Sequence, residues 1–419
     1  MGGSVRDFLL EKETKDLDLA TDATPQVLCQ LFPEAIPVGK AFGVIKVPTG
    51  TYPPLLEIAT FRQDLEYEDH RRPKGVIFSG PKEDAFRRDF TINALFFDPK
   101  ANQILDPTGK GLDDLDAKVL RAIGDPTKRL REDALRLIRA VRFKTKLDFK
   151  LEPDTTSAIQ ANAKLILKVS AERIRDELTQ IWISPRPAEA LEFLSELGLL
   201  SYILPEVEAL KKAPQALGTR RQQMVWAHVL KTLSYLAEQN PVRSSVLSWV
   251  AVLHEVGRLG PFEQAGGKEL IAHDIQGAKI SQQITARLKM PSAETNQIAF
   301  MIENHLKFRE VFQMREATLQ RFIRQPNFDE LLAFHKADAM ATDGNLAYYE
   351  FAEYRLNERK KTQHLELQKL ISGEDLIQLG FNPGPLFSKI LGAIEDLTLE
   401  GELKSKEQAL EYVFKNFVK

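Results

Sequence analysis

The sequence has few of the features that mark secreted or membrane proteins. Cys29 is its single cysteine, which excludes an intramolecular disulfide framework and Cys-rich zinc sites. No apolar run approaches the ~20 residues of a membrane-spanning helix, and no N-terminal stretch has the form of a secretion signal. Charge of neither sign prevails, since 57 Lys and Arg face 59 Asp and Glu. We therefore expect a cytoplasmic protein without a membrane partner, in which any nucleic acid meets a local basic patch.

Strand-like and helix-like patterns occupy different parts of the 419 residues. Short β-branched runs at 42–47, 55–60 and 92–97 are bounded by turn residues, and Thr24-Pro25 predicts a helix start that runs to Leu31. From Asp125 onward, apolar residues recur at three- and four-residue spacing. The pattern predicts an α+β chain with a mixed-sheet head at 1–120, an all-helical neck at 121–185, a body at 186–345 and a tail at 346–419.

Acidic residues near the start of the chain indicate a metal site. Asp16 and Asp18 are one residue apart, so on an extended strand both side chains lie on the same side. Gly2 and Gly3 precede them and allow backbone N–H groups to approach a phosphate closely. Glu57 lies in an apolar strand, where a carboxylate is disfavoured unless it has a task. Three such acids favour a nucleotidyl transferase with two Mg²⁺ ions. The alternatives are a surface pair for Asp16 and Asp18 and an exposed acid on an edge strand for Glu57.

Two further groups of charged residues favour nucleotide binding. Arg87-Arg88-Asp89, with Asn93 four residues later, offers adjacent guanidiniums for phosphate or ribose oxygens. The alternative is a surface charge cluster. Residues 121–180 carry 14 Lys and Arg against 9 Asp and Glu, and this local basic excess suits a phosphate backbone.

The segment from Glu132 to Arg139 is predicted to lie on one helix. Asp133, Arg136 and Arg139 follow one another at intervals of three, which places acceptor and donor groups on one face. An Asp acceptor beside an Arg donor can hydrogen-bond the Watson–Crick edge of a base. Ordinary salt bridging within a helix is the alternative.

These motifs, taken in order, resemble those of the class II tRNA nucleotidyltransferase and bacterial poly(A) polymerase family. The series is Gly-Gly-X-Val-Arg-Asp, Asp-X-Asp, Arg-Arg-Asp-X-X-X-Asn and Glu-Asp-X-X-Arg-X-X-Arg. Ser170–Arg173, with Glu177, resembles the next helical motif of the family. The resemblance implies template-independent addition of CCA to the 3′ end of tRNA from CTP and ATP.

The resemblance also implies a role for each matched position. Asp16 and Asp18 correspond to the pair that holds Mg²⁺, with Glu57 as the third catalytic acid, and Glu132 orients the residues that select the base. The positions that resemble nucleotide-binding residues are Gly2, Gly3, Arg6, Arg88, Asp89, Asn93, Asp133, Arg136 and Arg139. Tyr67–Pro73 resembles a flexible loop that members adding only CC lack, so we expect addition of the terminal A.

One departure from the family pattern concerns the start of the chain. Relatives carry a helix and a strand ahead of Gly-Gly, whereas here Gly2 follows Met1 directly. We expect either that translation starts upstream or that the head lacks this strand.

The C-terminal half resembles the HD phosphohydrolase domain of some bacterial members. The matching residues, which could hold a second divalent metal, are His228, His254, Glu255, His273, His305 and Asp338. Glu255 stands where an HD site has Asp, and its longer side chain would displace a ligand oxygen by roughly an ångström. We therefore expect an HD-like scaffold that has lost hydrolysis, with an active phosphodiesterase or phosphatase as the alternative.

Several functions remain open from the sequence. A poly(A) polymerase shares the head chemistry, but such enzymes often carry a basic C-terminal extension, and residues 401–419 hold only four Lys against three Glu. An enzyme that adds only A would have almost the same motifs. From another class, the chain could be an HD-type metal phosphohydrolase, or an RNA-binding protein with a vestigial head.

Overall fold

The computed structural model describes residues 1–14, 17–39, 43–51, 54–65, 74–213, 225–259, 273–362 and 370–417. Asp16 and the loop at 67–73 lie outside these ranges. Within them, no helix is both long enough and apolar enough to cross a membrane.

The head is built around a four-stranded mixed sheet. Its strand order is β1-β4-β3-β2, in which β1 and β4 are parallel and the other neighbours are antiparallel. The remaining short strands form two-stranded pairs. The strands are β1 Asp18–Thr21, β2 Ile36–Gly39, β3 Val44–Pro48, β4 Leu55–Thr60, β5 Arg62–Asp64, β6 Val76–Phe78, β7 Phe96–Asp98, β8 Gln103–Leu105, β9 Val119–Leu120 and β10 Lys150–Leu151.

Helices account for most of the chain after residue 121, where the described residues contain a single strand, β10. A proline begins several of them, because its missing N–H has no partner in a first turn anyway. The helices are α1 Gly3–Leu9, α2 Pro25–Leu31, α3 Pro81–Phe86, α4 Gly111–Asp116, α5 Pro126–Glu132, α6 Arg136–Leu147, α7 Pro153–Asn162, α8 Ala171–Trp182, α9 Pro187–Glu196, α10 Leu200–Ile203, α11 Pro205–Ala209, α12 Val225–Gln239, α13 Ser245–Leu253, α14 His273–Arg287, α15 Ser292–Asn304, α16 Glu316–Ile323, α17 Phe328–Thr342, α18 Ala347–Thr362, α19 Gly373–Gln378, α20 Pro385–Leu399 and α21 Lys406–Phe417.

The predicted fold class, a mixed-sheet head followed by helices, is confirmed. The run at 55–60 is β4, and the helix predicted after Thr24 is α2. The run at 92–97 is not one strand, since a 3₁₀ turn at Thr91–Asn93 precedes β7. This turn is closed by the bond from the Ala94 N–H to the Thr91 carbonyl.

The buried apolar residues form separate cores. The largest begins in the head with Val5 and Phe90 and continues through the neck and body as far as Leu356. The mixed sheet has a small core of its own, made of Leu28, Ile45, Val47 and Ile58. A third small core holds Ala85, Ala94, Phe96 and Ile123. The tail is held by Ile371, Leu376, Ile390, Ile394, Ala409 and Val413.

Candidate nucleotide-binding site and a buried histidine cluster

Gly2 stands where only glycine fits. Its φ of 59° lies in the left-handed region, and its N–H donates to the Leu95 carbonyl at 2.8 Å. A Cβ at this position would lie 2.5 Å from Nη1 of Arg88. The turn therefore brings the backbone ahead of α1 directly against an arginine of the candidate site.

The sheet brings two of the three predicted catalytic acids together. Asp18 on β1 and Glu57 on β4 are register partners in a parallel pair, so their side chains lie on the same face. The Asp18 N–H donates to Oγ of Ser4 at 3.1 Å, which ties β1 to α1. Glu57 lies on an interior strand, half exposed, and forms an ion pair with Lys46 at 3.6 Å. Glu57 is therefore not on an edge strand of the sheet.

A chain of hydrogen bonds joins α1 to the neck. Arg6, which is buried, donates from Nη1 to Oδ1 of Asn93 at 2.6 Å. Nδ2 of Asn93 donates to Oδ1 of Asp89 at 3.0 Å. Oδ2 of Asp89 accepts from Nε and Nη2 of Arg139 at 2.9 and 2.7 Å. Four residues from three separate motifs thus form one connected network.

The charge of Asp89 is fixed by this network. Its burial would raise the pKa of the carboxyl, but the Arg139 guanidinium and the Asn93 amide outweigh it and hold that pKa well below its ordinary value. Asp89 is therefore an anion throughout the physiological range, and it orients Arg139.

The network continues into α8. Glu177 accepts from Nε of Arg142 at 2.6 Å and from Nη1 of Arg139 at 3.4 Å. Because Arg139 and Arg142 lie three residues apart on α6, one carboxylate holds both. Arg139 was predicted from the sequence but Arg142 was not, although the three-residue spacing from Arg136 through Arg139 extends to it.

Asp84 is a second residue that the sequence analysis missed. It is 1% exposed and accepts from Arg88 at 2.9 Å and from Arg87 at 2.8 Å. Its position three and four residues before these arginines, at the start of a helix, is the signal that could have found it. Nη1 of Arg88 also donates to the Asn93 carbonyl at 3.1 Å, so Asp84 and Asn93 together fix this guanidinium.

The prediction of one continuous helix from Glu132 to Arg139 is wrong. Helix α5 ends at Glu132, Asp133 is extended with φ −138° and ψ 104°, and α6 begins at Arg136. Oδ1 of Asp133 accepts the Leu135 N–H at 3.1 Å. The side chain thus competes with helical hydrogen bonding, as Asp does at helix starts.

Asp133 and Arg136 are held by different partners as a result. Asp133 accepts from Arg173 at 2.9 and 3.2 Å. Nη1 of Arg136 donates to Glu132 at 3.0 Å and to the Arg129 carbonyl at 2.7 Å, and Nη2 donates to the Arg87 carbonyl at 2.9 Å. Glu132 therefore positions Arg136, while Arg173 positions Asp133.

A cavity of about 430 Å³ lies beside these residues, between α3 and α5. Its volume falls within the range of small-molecule sites. The lining residues are Gln63, Asp64, Lys82, Glu83, Phe86, Arg87, Lys128, Arg129 and Glu132.

A cluster of buried histidines occupies the body. Nε2 of His228 on α12 lies 3.0 Å from Oδ1 of Asp338 on α17 and 3.1 Å from Nε2 of His254, which follows α13. Nδ1 of His254 faces the Ala251 carbonyl at 3.0 Å. If Nδ1 carries the proton, the Nε2 lone pair points into the cluster. Among the described residues, these three form the one group whose ligand atoms lie within 4.8 Å of one another.

The other predicted members surround this group. Glu255 lies 3.6 Å from His228 but forms its closer ion pair with Arg258. The ring centroids of His273 and His305 are 5.8 Å apart, and those of His305 and His254 are 5.9 Å apart. The structure thus brings all six predicted residues together, but Glu255 is engaged elsewhere.

His335 is a further buried histidine of the body that was not predicted from the sequence. Its ring stacks on Phe308 with centroids 4.1 Å apart, and it lies three residues before Asp338 on α17, a spacing that could have indicated it. Burial lowers the pKa of His254, His273 and His335 to about 4, despite nearby carboxylates. These three imidazoles are therefore neutral near pH 7. Burial also acts to lower the pKa of His228, but the hydrogen bond to Asp338 and the charge of that carboxylate outweigh burial and raise that pKa.

Known proteins match nearly the whole chain. A family described as "Poly A polymerase head domain" matches residues 1–121, and one described as "Probable RNA and SrmB- binding site of polymerase A" matches residues 148–211. The CCA-adding enzyme of Geobacillus thermodenitrificans (strain NG80-2) is 32% identical over 415 residues, 98% of this chain and 90% of that protein. The chain belongs to the CCA-adding enzyme family. That of Bacillus licheniformis is 31% identical over 98% of this chain and 92% of its own length.

A solved structure of the family has the same fold. The crystal structure of the Bacillus stearothermophilus CCA-adding enzyme in complex with CTP matches with a TM-score of 0.76 and 26% identity, over 99% of this chain and 92% of that one. The resemblance to nucleotidyltransferases seen in the motifs is confirmed. In this member of the CCA-adding enzyme family, Arg6, Asp89, Asn93 and Arg139, which belong to three of the motifs, meet where the head joins the neck.

Proposed function

We propose that this chain adds CMP, CMP and AMP to the 3′ end of tRNA, using CTP and ATP. The observation that carries the proposal is the connected network from α1 to α8, which joins Arg6, Asn93, Asp89, Arg139 and Glu177. Its members lie up to 171 residues apart in sequence, yet they bring the guanidiniums of Arg6 and Arg139 into one network. Helix α1, which carries Arg6, is tied to the strand of Asp18 by the Ser4 hydrogen bond. Such a cluster suits a nucleoside triphosphate.

Enzymes of this family are nucleotidyltransferases that depend on a divalent metal ion, and we assign Mg²⁺ to the head. Asp18 and Glu57 fit this ion, because their carboxylates lie side by side on one face of the sheet and Mg²⁺ prefers oxygen ligands. Asp16 is the third expected ligand. Bound there, Mg²⁺ would lower the pKa of the RNA 3′-hydroxyl and offset charge on the departing pyrophosphate.

The reaction exchanges one phosphorus–oxygen bond for another. The RNA 3′-oxygen forms a bond to the α-phosphorus of CTP or ATP, the bond to the bridging oxygen breaks, and pyrophosphate leaves in line. Arg6, Arg88 and Arg139 bind the triphosphate oxygens. Because Asn93, Asp84 and Asp89 already hold these guanidiniums, little reorganisation is needed when the nucleotide arrives.

Asp133 and Arg136 select the base. Cytosine and adenine each present an exocyclic amino donor beside a ring-nitrogen acceptor, whereas uracil and guanine present a carbonyl in place of the amine. A carboxylate acceptor beside a guanidinium donor matches the first pattern and opposes the second. Arg173 and Glu132 fix the two groups separately, so the pattern is set by the protein.

The test supplies CTP or ATP singly to tRNAs that lack CCA, end in C, end in CC or end in CCA. We expect CMP on the first two, AMP only on the third and no addition to the last. Asp18→Asn should abolish incorporation without changing the unfolding temperature, whereas Asp22→Asn, which alters an exposed acid four residues away, should keep it.

The rival functions give different products in the same assay. A poly(A) polymerase would add many A residues to a non-tRNA oligonucleotide, and an A-only enzyme would add AMP to the CC end without adding CMP. Incorporation by Asp18→Asn at the wild-type rate would show that these acids are not the metal site. Binding of tRNA without any incorporation would favour a vestigial head.

We also propose that His228, His254 and Asp338 hold a divalent metal. Ligand atoms about 2.1 Å from one ion lie roughly 3.0 to 3.4 Å apart. Two of the three observed separations, 3.0 and 3.1 Å, fit this range, and the third, from Nε2 of His254 to Oδ1 of Asp338, is 3.8 Å. The full chain, equilibrated separately with Mn²⁺, Ni²⁺ and Zn²⁺ and freed of excess ion, should retain one equivalent of at least one of them. Asp338→Asn should lose it, whereas Asp343→Asn, at the exposed end of the same helix, should not.

The same variants decide whether this site is a hydrolase. Release of phosphate from a 2′,3′-cyclic nucleotide by the wild type, lost in Asp338→Asn, would establish phosphohydrolase activity. Equal metal retention by wild type and Asp338→Asn would refute the site.

A further inference from the structure

Three arginines of the candidate site surround one aromatic ring. The guanidinium carbons of Arg142, Arg139 and Arg6 lie 4.5, 5.1 and 5.2 Å from the centroid of Phe143. All three distances fall within the range in which a cation is attracted by the face of an aromatic ring. The arginines come from two elements, because Arg6 belongs to α1 and the others to α6.

The ring itself is fixed by the main core. Phe143 is 6% exposed, and the ring of Phe90 meets it edge to face with centroids 5.9 Å apart. Arg139 precedes Phe143 by one helical turn, which places its side chain on the same face of α6. The ring therefore joins the neck helix to the helix that follows Gly-Gly, and the guanidiniums gather around a position set by packing.

A ring holds an arginine in a different way from a carboxylate. Asp7, Asp89 and Glu177 also pair with these arginines, but each adds a full negative charge that would repel a triphosphate. The face of an aromatic ring attracts a cation through its quadrupole and carries no net charge. Phe143 can thus help to keep three guanidiniums close together without adding a further negative charge beside them.

We propose that Phe143 is a positioning residue for triphosphate binding, which acts by holding Arg6, Arg139 and Arg142 in place. The inference rests on the proposed function, in which Arg6 and Arg139 bind the phosphates of CTP or ATP. Phe143 does not touch the nucleotide in this account. Loss of the ring should therefore weaken the contacts with the phosphates of the nucleotide and leave the contacts with its base unchanged.

The test compares binding of CTP with binding of CMP, since the difference in affinity isolates the two outer phosphates. Phe143→Leu should weaken CTP binding about tenfold and leave CMP binding unchanged. Phe149→Leu is the matched control, because Phe149 is equally buried near the end of α6 and no described guanidinium stacks on it. It should preserve both affinities.

Rescue and kinetics separate positioning from general loosening of the fold. Phe143→Tyr keeps the ring and should bind CTP like the wild type. In steady state, Phe143→Leu should raise KM for CTP about tenfold with little change in kcat at saturation. If Phe143→Leu does not fold, Phe143→Met removes the ring at similar volume and should show the same effect.

Each result decides the proposal. A folded variant without the ring that binds CTP as tightly as the wild type overturns it, and so does an equal loss of CTP and CMP affinity. If the wild type does not prefer CTP to CMP, the placement of the triphosphate at these arginines is itself wrong. In that case the failure lies with the proposed function, whose acids are tested independently by Asp18→Asn.

Discussion

Replacing Asp89 by Asn tests whether the network is held together by charge. Oδ1 of Asp89 accepts from the Phe90 N–H at 2.8 Å and from Asn93 at 3.0 Å, and an Asn side-chain oxygen can keep both bonds. Oδ2 accepts two bonds from Arg139. In Asp89→Asn an amide NH₂ faces the guanidinium there, so two donors meet and the charge that balances Arg139 is gone.

The expected cost is about 2 kcal/mol of unfolding free energy. Hydrogen bonds to a charged group contribute about 1.5 to 3 kcal/mol, and breaking a fully buried ion pair costs about 3 to 5 kcal/mol. The Arg139 side chain is 30% exposed and keeps Glu177 as a partner, so water and a second carboxylate offset part of the loss. The transition that includes the neck should fall by about 5 °C, as measured by differential scanning calorimetry.

The effect should also depend on pH with a definite sign. The pKa of Asp89 in the folded protein lies well below its ordinary value, so its contribution is complete above about pH 5 and is lost as the pH falls through the folded-state pKa. The difference in unfolding free energy between wild type and Asp89→Asn should stay constant from pH 8 to 5 and become smaller below about pH 4. Asp116→Asn, which alters an exposed acid, should change stability by less than about 0.5 kcal/mol. Two results would contradict a charge-held network. One is a loss of unfolding free energy in Asp89→Asn no larger than that in Asp116→Asn, and the other is a loss that grows as the pH falls.

Two further substitutions test the turn and the base-selecting residues. Gly2→Ala should raise KM for CTP in steady-state kinetics, because the new Cβ would meet Arg88. Gly50→Ala is the control, since Gly50 also has a positive φ but a Cβ there would meet nothing within 4 Å. An equal rise in KM for both variants would show that the contact with Arg88 is not the cause. Arg173→Ala should increase misincorporation of UMP and GMP relative to CMP, because it frees Asp133, as sequencing of the added nucleotides would show; unchanged fidelity would mean that Arg173 does not position this carboxylate.

Local patterns predicted the fold best where neighbouring residues determine the structure. The run at 55–60 becomes β4, in which the β-branched residues Ile58 and Thr60 lie on one face and are both buried. Pro25 starts α2 because proline suits a first helical turn. The break at Asp133 depends partly on Arg173, 40 residues away. Helical periodicity in the sequence cannot predict that contact. The Asp at position 133 is nevertheless a residue type that is common at helix starts.

For the candidate site, the motifs predicted many of the residues and several of their partners, such as Asp89 for Arg139, but not all of them. Asp84, the partner of Arg88, lies outside every motif, although it is only four residues away in sequence. The role of Phe143 could not be seen at all, because an apolar residue in a helical stripe is typical of core packing. Phe143 differs from an ordinary core residue of α6 because the guanidinium of Arg6, which belongs to α1, lies against its ring.

The residues of the candidate site are divided between two hydrophobic cores, which can unfold locally with different free energies. Asp18 and Glu57 belong to a sheet whose own core has four buried side chains, whereas Arg6 and Arg139 extend from helices packed in the large core of neck and body. Amide protons of β1 and β4 should therefore exchange with solvent at a lower opening free energy than those of α6. A nucleotide that spans metal and arginines would link the two cores, and its binding should slow exchange in the sheet most of all.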